Sequence, residues 1–241
     1  MKKFIKKMLP NNLVNLIRKY INLNIINNIK SDVKNVSYSN KSNLLSELCE
    51  KYGSDKGFLN LNIGQKPYGW HPHTYATYYH SIFNLSRENI NNVFECGLGT
   101  NNPNIKSNMT KNGIPGASLR VWRDYFFNAK IYGGDIDKNI LFEEHRIKTF
   151  YVDQLDSNSI KSMWENIEIK EFDIIIDDGL HTPEAIYNFF INSFHKLKKN
   201  GIYLIEDVPS IYLAHLQNKL KDYEIDIVVG FTQSKKFIED N

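Results

Sequence analysis

Two pairs of neighbouring acids, Asp177-Asp178 ahead of Gly179 and Glu206-Asp207, carry the strongest chemical signal in this 241-residue chain. Each pair closes an apolar run, FDIIID or GIYLIE, that reads as a central strand buried on both faces. Carboxylates repeated at one rim of a sheet are costly unless donors or cations meet them. One acid of the Asp177-Asp178 pair, with Glu206 and Asp207, supplies hard oxygen donors suited to Mg²⁺, with coordination positions left open. His181, three residues after Asp178, could set its imidazole beside such an ion as a general base. Taken one at a time, the same residues also read as a tight turn, an N-cap pair ahead of Pro209 and a cap histidine. Their convergence on one rim favours a metal site.

A second constellation points to a cofactor. ECGLGT, residues 95–100, joins a strand to a glycine-rich turn, where Glu95 can accept hydrogen bonds and Gly97 and Gly99 admit close backbone approach. A dinucleotide fingerprint needs a third glycine and an immediate helix, and neither follows, so a cofactor without phosphates fits better. Asp135 ends the next strand, where it suits two ribose hydroxyls, with Asp137 as its rival; Asp153 and Gln154 follow the third strand, near an adenine edge. Asp177 points away from Asp178 along its strand and is counted with the cofactor side. Upstream, Tyr52, Asp55, Lys56, His73 and Tyr75 could line an acceptor pocket, although aromatics at helical spacing are more often core. The loop from Thr100 to Pro115 is long for such a connection.

These residues need a scaffold that brings strand ends together. From Asn91 onward short β-rich runs alternate with helical patterns, the signature of a doubly wound, mostly parallel α/β sheet. Strands are predicted at 91–96, 130–135, 148–152, 172–177, 201–206 and 224–230, with helices at 116–128, 138–146, 156–166, 182–198 and 209–221. Asn200-Gly201 reads as the stop of the longest helix. Helices at 41–52 and 73–85 precede the sheet. In such folds ligands bind beyond the carboxyl ends of the strands, where strand order reverses.

The succession ECGLGT, GASLRVWRDYF, AKIYGGDID, TFYVDQLD, FDIIIDDGLHTPEA and GIYLIEDV resembles the class I S-adenosylmethionine-dependent methyltransferases over roughly residues 42–241. Within them it is most similar to the metal-dependent sugar O-methyltransferases of macrolide and surface-polysaccharide pathways. That resemblance implies S-adenosylmethionine at Glu95, Gly97, Gly99, Asp135, Asp153 and Gln154, Mg²⁺ at Asp178, Glu206 and Asp207, and proton removal from a sugar hydroxyl by His181. KYGSDKG with HPHTYATYYHSIF is similar to an element that helps build the family's active site. One departure from the family is expected: the usual seventh, antiparallel strand should begin at FTQSKKFIEDN, where the sequence ends, so either the chain is truncated or the sheet edge is closed differently.

Composition sets the bounds. Apolar residues at 41%, charged residues at 24% and two cysteines 47 positions apart describe a globular chain without a disulfide framework, expected in the cytoplasm. No membrane-spanning run or secretory cleavage site is read, and a net charge of +3 does not suggest nucleic acid. Residues 1–40 form a basic, partly helical extension, with weak membrane-surface contact through 1–30 as one reading. Residues 41–241 form the catalytic domain, with a helical cap over 41–90 and a Rossmann-like core over 91–241. An uncovered sixth strand would invite a homo-oligomer. The alternatives are a non-sugar acceptor, such as a phosphoryl-linked capsule group or a small metabolite, and a non-catalytic cofactor-binding module docked through its basic end.

Overall fold

The computed structural model describes residues 42–57, 73 and 75–223; the predicted strand at 224–230 and the basic extension lie outside them. Helix α1 (Leu44–Tyr52) starts at a reciprocal capping box, in which Asn43 Oδ1 accepts from Ser46 N and Ser46 Oγ accepts from Asn43 N. Gly53, at φ 72°, ends it. Helix α2 (Tyr75–Phe83) follows.

Six strands form one sheet: β1 (Asn92–Cys96), β2 (Lys130–Asp135), β3 (Glu143–Glu144), β4 (Ile147–Tyr151), β5 (Phe172–Asp177) and β6 (Leu197–Ile205), ordered β3-β4-β2-β1-β5-β6. All pairings are parallel except the edge pair β3–β4. The chain winds one way from β1 to β2 and β4, then the other way through β5 and β6, so the order reverses at β1. Helices α3 (Ala117–Tyr125), α4 (Ser157–Glu165) and α5 (Pro183–Ser193) connect the strands.

Side-chain alternation divides the core. Val93, Ile131, Ile174 and Ile176 face Phe83, Trp122 and Phe126 on one side. Phe94, Phe172 and Ile175 meet Trp164 and Phe189 on the other. Each fully buried large apolar side chain contributes about 1.5–3 kcal/mol. With both faces covered, all six residues of β5 are buried, as the unbroken apolar run implied.

Three local expectations fail. GIYLIE does not form a central strand buried on both faces: it closes β6, the end strand of the sheet among the described residues, where positions 201–205 are only partly buried. The helix predicted at 138–146 is a single turn at Lys138–Ile140 followed by β3, which pairs antiparallel with β4 through Glu143–Lys148 and Glu144–Ile147. Distant partners outcompete the local helical tendency: Thr149 Oγ1 accepts from Phe142 N and donates to its carbonyl, and Arg120 grips the Glu144 carboxylate. The helix predicted to reach 198 ends at Ser193, and β6 starts at Leu197. Asn200, at φ 64°, and Gly201 are therefore not a helix stop but part of an irregular stretch of strand, beside a register shift between Phe172 and Ile174. Residues 208–223 belong to a separate compact unit; its helix α6 (Ser210–Leu220) buries Leu216 and Leu220.

Candidate active site

The parallel ladder continues one step past the strands and fixes their tips. Gly97 N donates to Gly134 O, Asp178 N to Cys96 O and Glu206 N to Asp177 O, at 2.8–2.9 Å. Beyond β1 the chain turns through Gly97 (φ 96°) and Gly99 (φ 79°). A Cβ on Gly97 would lie 2.1 Å from the Asp178 carbonyl oxygen, so the bare backbone lets two strand tips touch. A Cβ on Gly99 would meet Met109 Sδ at 2.2 Å.

These tips surround a cavity of about 680 Å³. Gly97, Gly99, Asp135, Asp153 and Gln154 line one part; Asp178, His181 and Asp207 line another, with Asp55, Lys56 and His73 from the segment before the sheet. Residues 104–109 of the long loop after β1 also border it.

On the glycine side, Asp135 receives Leu98 N at 2.7 Å and Asp137 N at 2.8 Å, and burial raises its pKa. Asp137 is turned elsewhere, toward Thr100 Oγ1 and Asn139, and the Thr100 hydroxyl holds its pKa down. Of the two rival acids, then, Asp135 borders the cavity. Asp153 Oδ1 accepts from Leu155 N. The Gln154 amide is occupied at both ends: Nε2 donates to Asp177 Oδ1 at 2.6 Å, and Oε1 accepts from Leu180 N at 2.7 Å. It clasps the β4 tip to the loop that carries His181. Asp177 is 1% exposed, its Oδ2 lacks a hydrogen-bond partner among the described residues, and burial pushes its pKa up to about 7.

On the acidic side, donor atoms of Asp178, His181 and Asp207 lie within 4.8 Å of one another. His181 Nε2 is 3.9 Å from Asp178 Oδ1. Tyr75 donates its hydroxyl to Asp207 Oδ1, and His73 Nε2 is 3.4 Å from Oδ2, with the two rings stacked at 4.8 Å. His181 (φ 56°) and Asp207 (φ 50°) both occupy the left-handed region, a conformation that non-glycine residues keep only where surroundings enforce it.

Glu206 is oriented differently from Asp207. Its Oε2 accepts from Lys56 Nζ at 2.7 Å and its Oε1 from Tyr79 at 2.9 Å, so both oxygens are engaged outside the Asp178–His181–Asp207 cluster. Burial drives its pKa well up, against the pull of Lys56. Glu95, fully buried, accepts from Trp122 Nε1 at 2.8 Å and lies 3.1 Å from Lys56 Nζ, but does not line the cavity. Tyr52 also lies off it, donating to Asp124 and accepting from Arg123. The sequence reading missed Tyr79 and Trp122, whose polar atoms hold Glu206 and Glu95. For Tyr79 the signal was its place one helical turn after Tyr75, which sends both hydroxyls to the same pair of acids.

No family model matches the sequence. The chain is 30% identical over 187 residues to the 8-demethyl-8-alpha-L-rhamnosyl tetracenomycin-C 2'-O-methyltransferase of Streptomyces olivaceus, covering 78% of this chain and 43% of that protein. It is 31% identical over 169 residues to the mycinamicin VI 2''-O-methyltransferase of Micromonospora griseorubida, covering 70% and 37%. Among solved structures, MycE methyltransferase from the mycinamycin biosynthetic pathway, in complex with Mg and SAH, superimposes with a TM-score of 0.54 at 28% identity, over 74% of this chain and 40% of its own. The chain thus spans less than half the length of these relatives.

Proposed function

Since the chain is a homologue of antibiotic-sugar O-methyltransferases and shares the Rossmann-like class I methyltransferase fold, we propose that it transfers a methyl group from S-adenosylmethionine to a sugar hydroxyl with the help of a divalent ion. The observation that carries this reading is the meeting of the Asp178–His181–Asp207 cluster with the glycine turn and Asp135 around one cavity.

The residues fit both groups. Two carboxylates, Asp178 and Asp207, supply oxygen donors for Mg²⁺ or a similar ion, with Glu206 next to Asp207 in sequence and directed toward Lys56, while the His181 imidazole stands within the same 4.8 Å cluster as a base beside the ion. The cofactor would lie along Gly97 and Gly99, with its ribose toward Asp135 and its base toward Asp153; Gln154, Asp177 and Glu95 support that wall from behind. When bound, the sulfonium supplies an electrophilic methyl and the divalent ion acidifies a nearby hydroxyl. His181 then takes the hydroxyl proton at Nε2, and Asp178, across from it, steadies the imidazolium. Tyr75 and His73 hold Asp207, and the His73 ring, backed by the stacked Tyr75, borders the cavity where a sugar ring would lie.

The acceptor is a sugar of a glycosylated metabolite or a surface polysaccharide; the rhamnosyl tetracenomycin on which the Streptomyces olivaceus relative acts supports the first of these. The two cysteines of the chain, Cys49 and Cys96, are free and buried, in keeping with reaction in the reducing cytoplasm. Incubation with S-adenosylmethionine, Mg²⁺ and a panel of nucleotide sugars and glycosides, read by mass spectrometry, should give a mass gain of one methyl group that is lost in EDTA and restored by Mg²⁺. Equal turnover in EDTA would overturn the metal's role, and absence of S-adenosylmethionine binding would overturn the reading as a whole.

A further inference from the structure

Lys56 has an unusual place for an ammonium group. It is 3% exposed, yet comes from the segment after α1, far in sequence from the strand tips it touches. Its Nζ lies 2.5 Å from Asp178 Oδ2, 2.7 Å from Glu206 Oε2 and 3.1 Å from Glu95 Oε1, and so joins the tips of β1, β5 and β6. A lysine buried to this degree is tolerable only with such compensation. Asp178 belongs at the same time to the cluster with His181 and Asp207.

We propose that Lys56 is the built-in counter-ion of the site, a positioning residue that holds Glu95, Glu206 and Asp178 together and competes with a divalent ion for the charge of Asp178. This rests on the proposed metal-assisted reading and adds to it a residue that lowers metal affinity. One Asp178 oxygen is pinned by the ammonium while the other faces His181. A dication that settles on Asp178 and Asp207, beside His181, must share the Asp178 carboxylate with a fixed positive charge and be repelled by it. The benefit of the lysine is order: without it, the buried carboxylates of Glu95 and Glu206 and the half-buried one of Asp178 would face one another with no cation between them.

The test is Mn²⁺ binding to the whole protein, measured from the free-ion electron paramagnetic resonance signal with Mg²⁺ as competitor, for wild type and Lys56→Met. Methionine keeps much of the stem and removes the charge. A Kd lower by on the order of tenfold in the variant is expected, the scale set by one unit charge removed at short range. A purely structural role would leave affinity unchanged or weaken it, and either result in a folded variant overturns the proposal. If Lys56→Met does not fold, wild-type protein carrying ¹⁵N-labelled lysine decides the question. Mg²⁺ should selectively shift the solvent-protected Nζ resonance of Lys56, assigned by its loss in Lys56→Arg; an unmoved resonance at saturating Mg²⁺ overturns the proposal. Failure of wild type to bind Mn²⁺ at all would instead sink the metal reading, so the two failures are distinguishable.

Discussion

Gly97→Ala tests the central geometric claim, that the β1 and β5 tips touch through bare backbone. The new methyl would stand 2.1 Å from the Asp178 carbonyl oxygen and 2.6 Å from its carbonyl carbon, and no side-chain rotation relieves a clash with backbone. The residue must also keep φ near 96°, which costs an L-residue about 1–2 kcal/mol. Overpacking typically adds about 1–3 kcal/mol, so a total loss of about 2–5 kcal/mol is expected. In a domain of this size, 3 kcal/mol lowers Tm by about 6–12 °C. Gly99→Ala is the internal comparison. It also meets a positive φ, but its methyl would press on the flexible end of Met109, so its cost should stay near about 1–2 kcal/mol. Urea unfolding of both variants against wild type measures the difference. If Gly97→Ala is destabilised no more than Gly99→Ala, the tips do not approach as described and the site built on them fails. A Gly97→Ala protein that still folds should also bind Mn²⁺ more weakly, because relief of the clash displaces Asp178.

His181→Ala should reduce methyl transfer by about 10²–10⁴-fold, the usual contribution of a general base, while calorimetry shows S-adenosylmethionine affinity within a few-fold of wild type; near-normal turnover would remove His181 from the proton path. Burial pushes the Cys49 thiol up to about 12 and raises that of Cys96, so iodoacetamide at pH 8 should label neither until denaturant is added, as intact mass will show. Asp124 is lowered to about 2 from an ordinary 3.8: its partial burial opposes the shift, but hydrogen bonds from Tyr52, Arg123 and Lys51 prevail. Because the folded pKa is depressed, its stabilisation is complete above about pH 4 and disappears as pH falls through 2. Discounted for solvent screening, Asp124→Asn should cost about 1 kcal/mol at pH 7, with the gap to wild type narrowing between pH 4 and pH 2 in urea titrations; a gap constant with pH would refute the assignment.

The parts of the fold legible in the sequence were those set by local pattern. The apolar run FDIIID announced a doubly buried strand, whereas GIYLIE, equally apolar, closes the partly buried end strand β6; the acids and glycines that closed the strands fell at one rim of the sheet. What escaped depended on distant partners. The 138–146 segment carries helix-compatible residues, but Thr149 and Arg120 draw it into a hairpin. Glu206 was legible as a strand-tip acid. Its partner Lys56 lies 150 positions earlier, and no spacing rule predicts that contact. Gln154 was legible by position, while the engagement of its amide by Asp177 and Leu180 follows only from how two loops pack.

The charge balance of the rim explains why such a costly cluster persists. Glu95, Asp178, Glu206 and Asp207 carry four formal negative charges and Lys56 one positive, which leaves a formal excess of three within one connected set of contacts. Burial answers by raising the pKa values of Glu95 and Glu206, so that protons are favoured where cations are lacking. Rigid strand tips prevent the acids from moving apart into water. A site of this kind gains from any cation that can reach it through the cavity, and a divalent ion with a sulfonium nearby would supply three positive charges. On that account the acids are held in excess by the sheet, the lysine offsets only part of them, and the remainder is the driving force for binding the groups that the proposed chemistry requires.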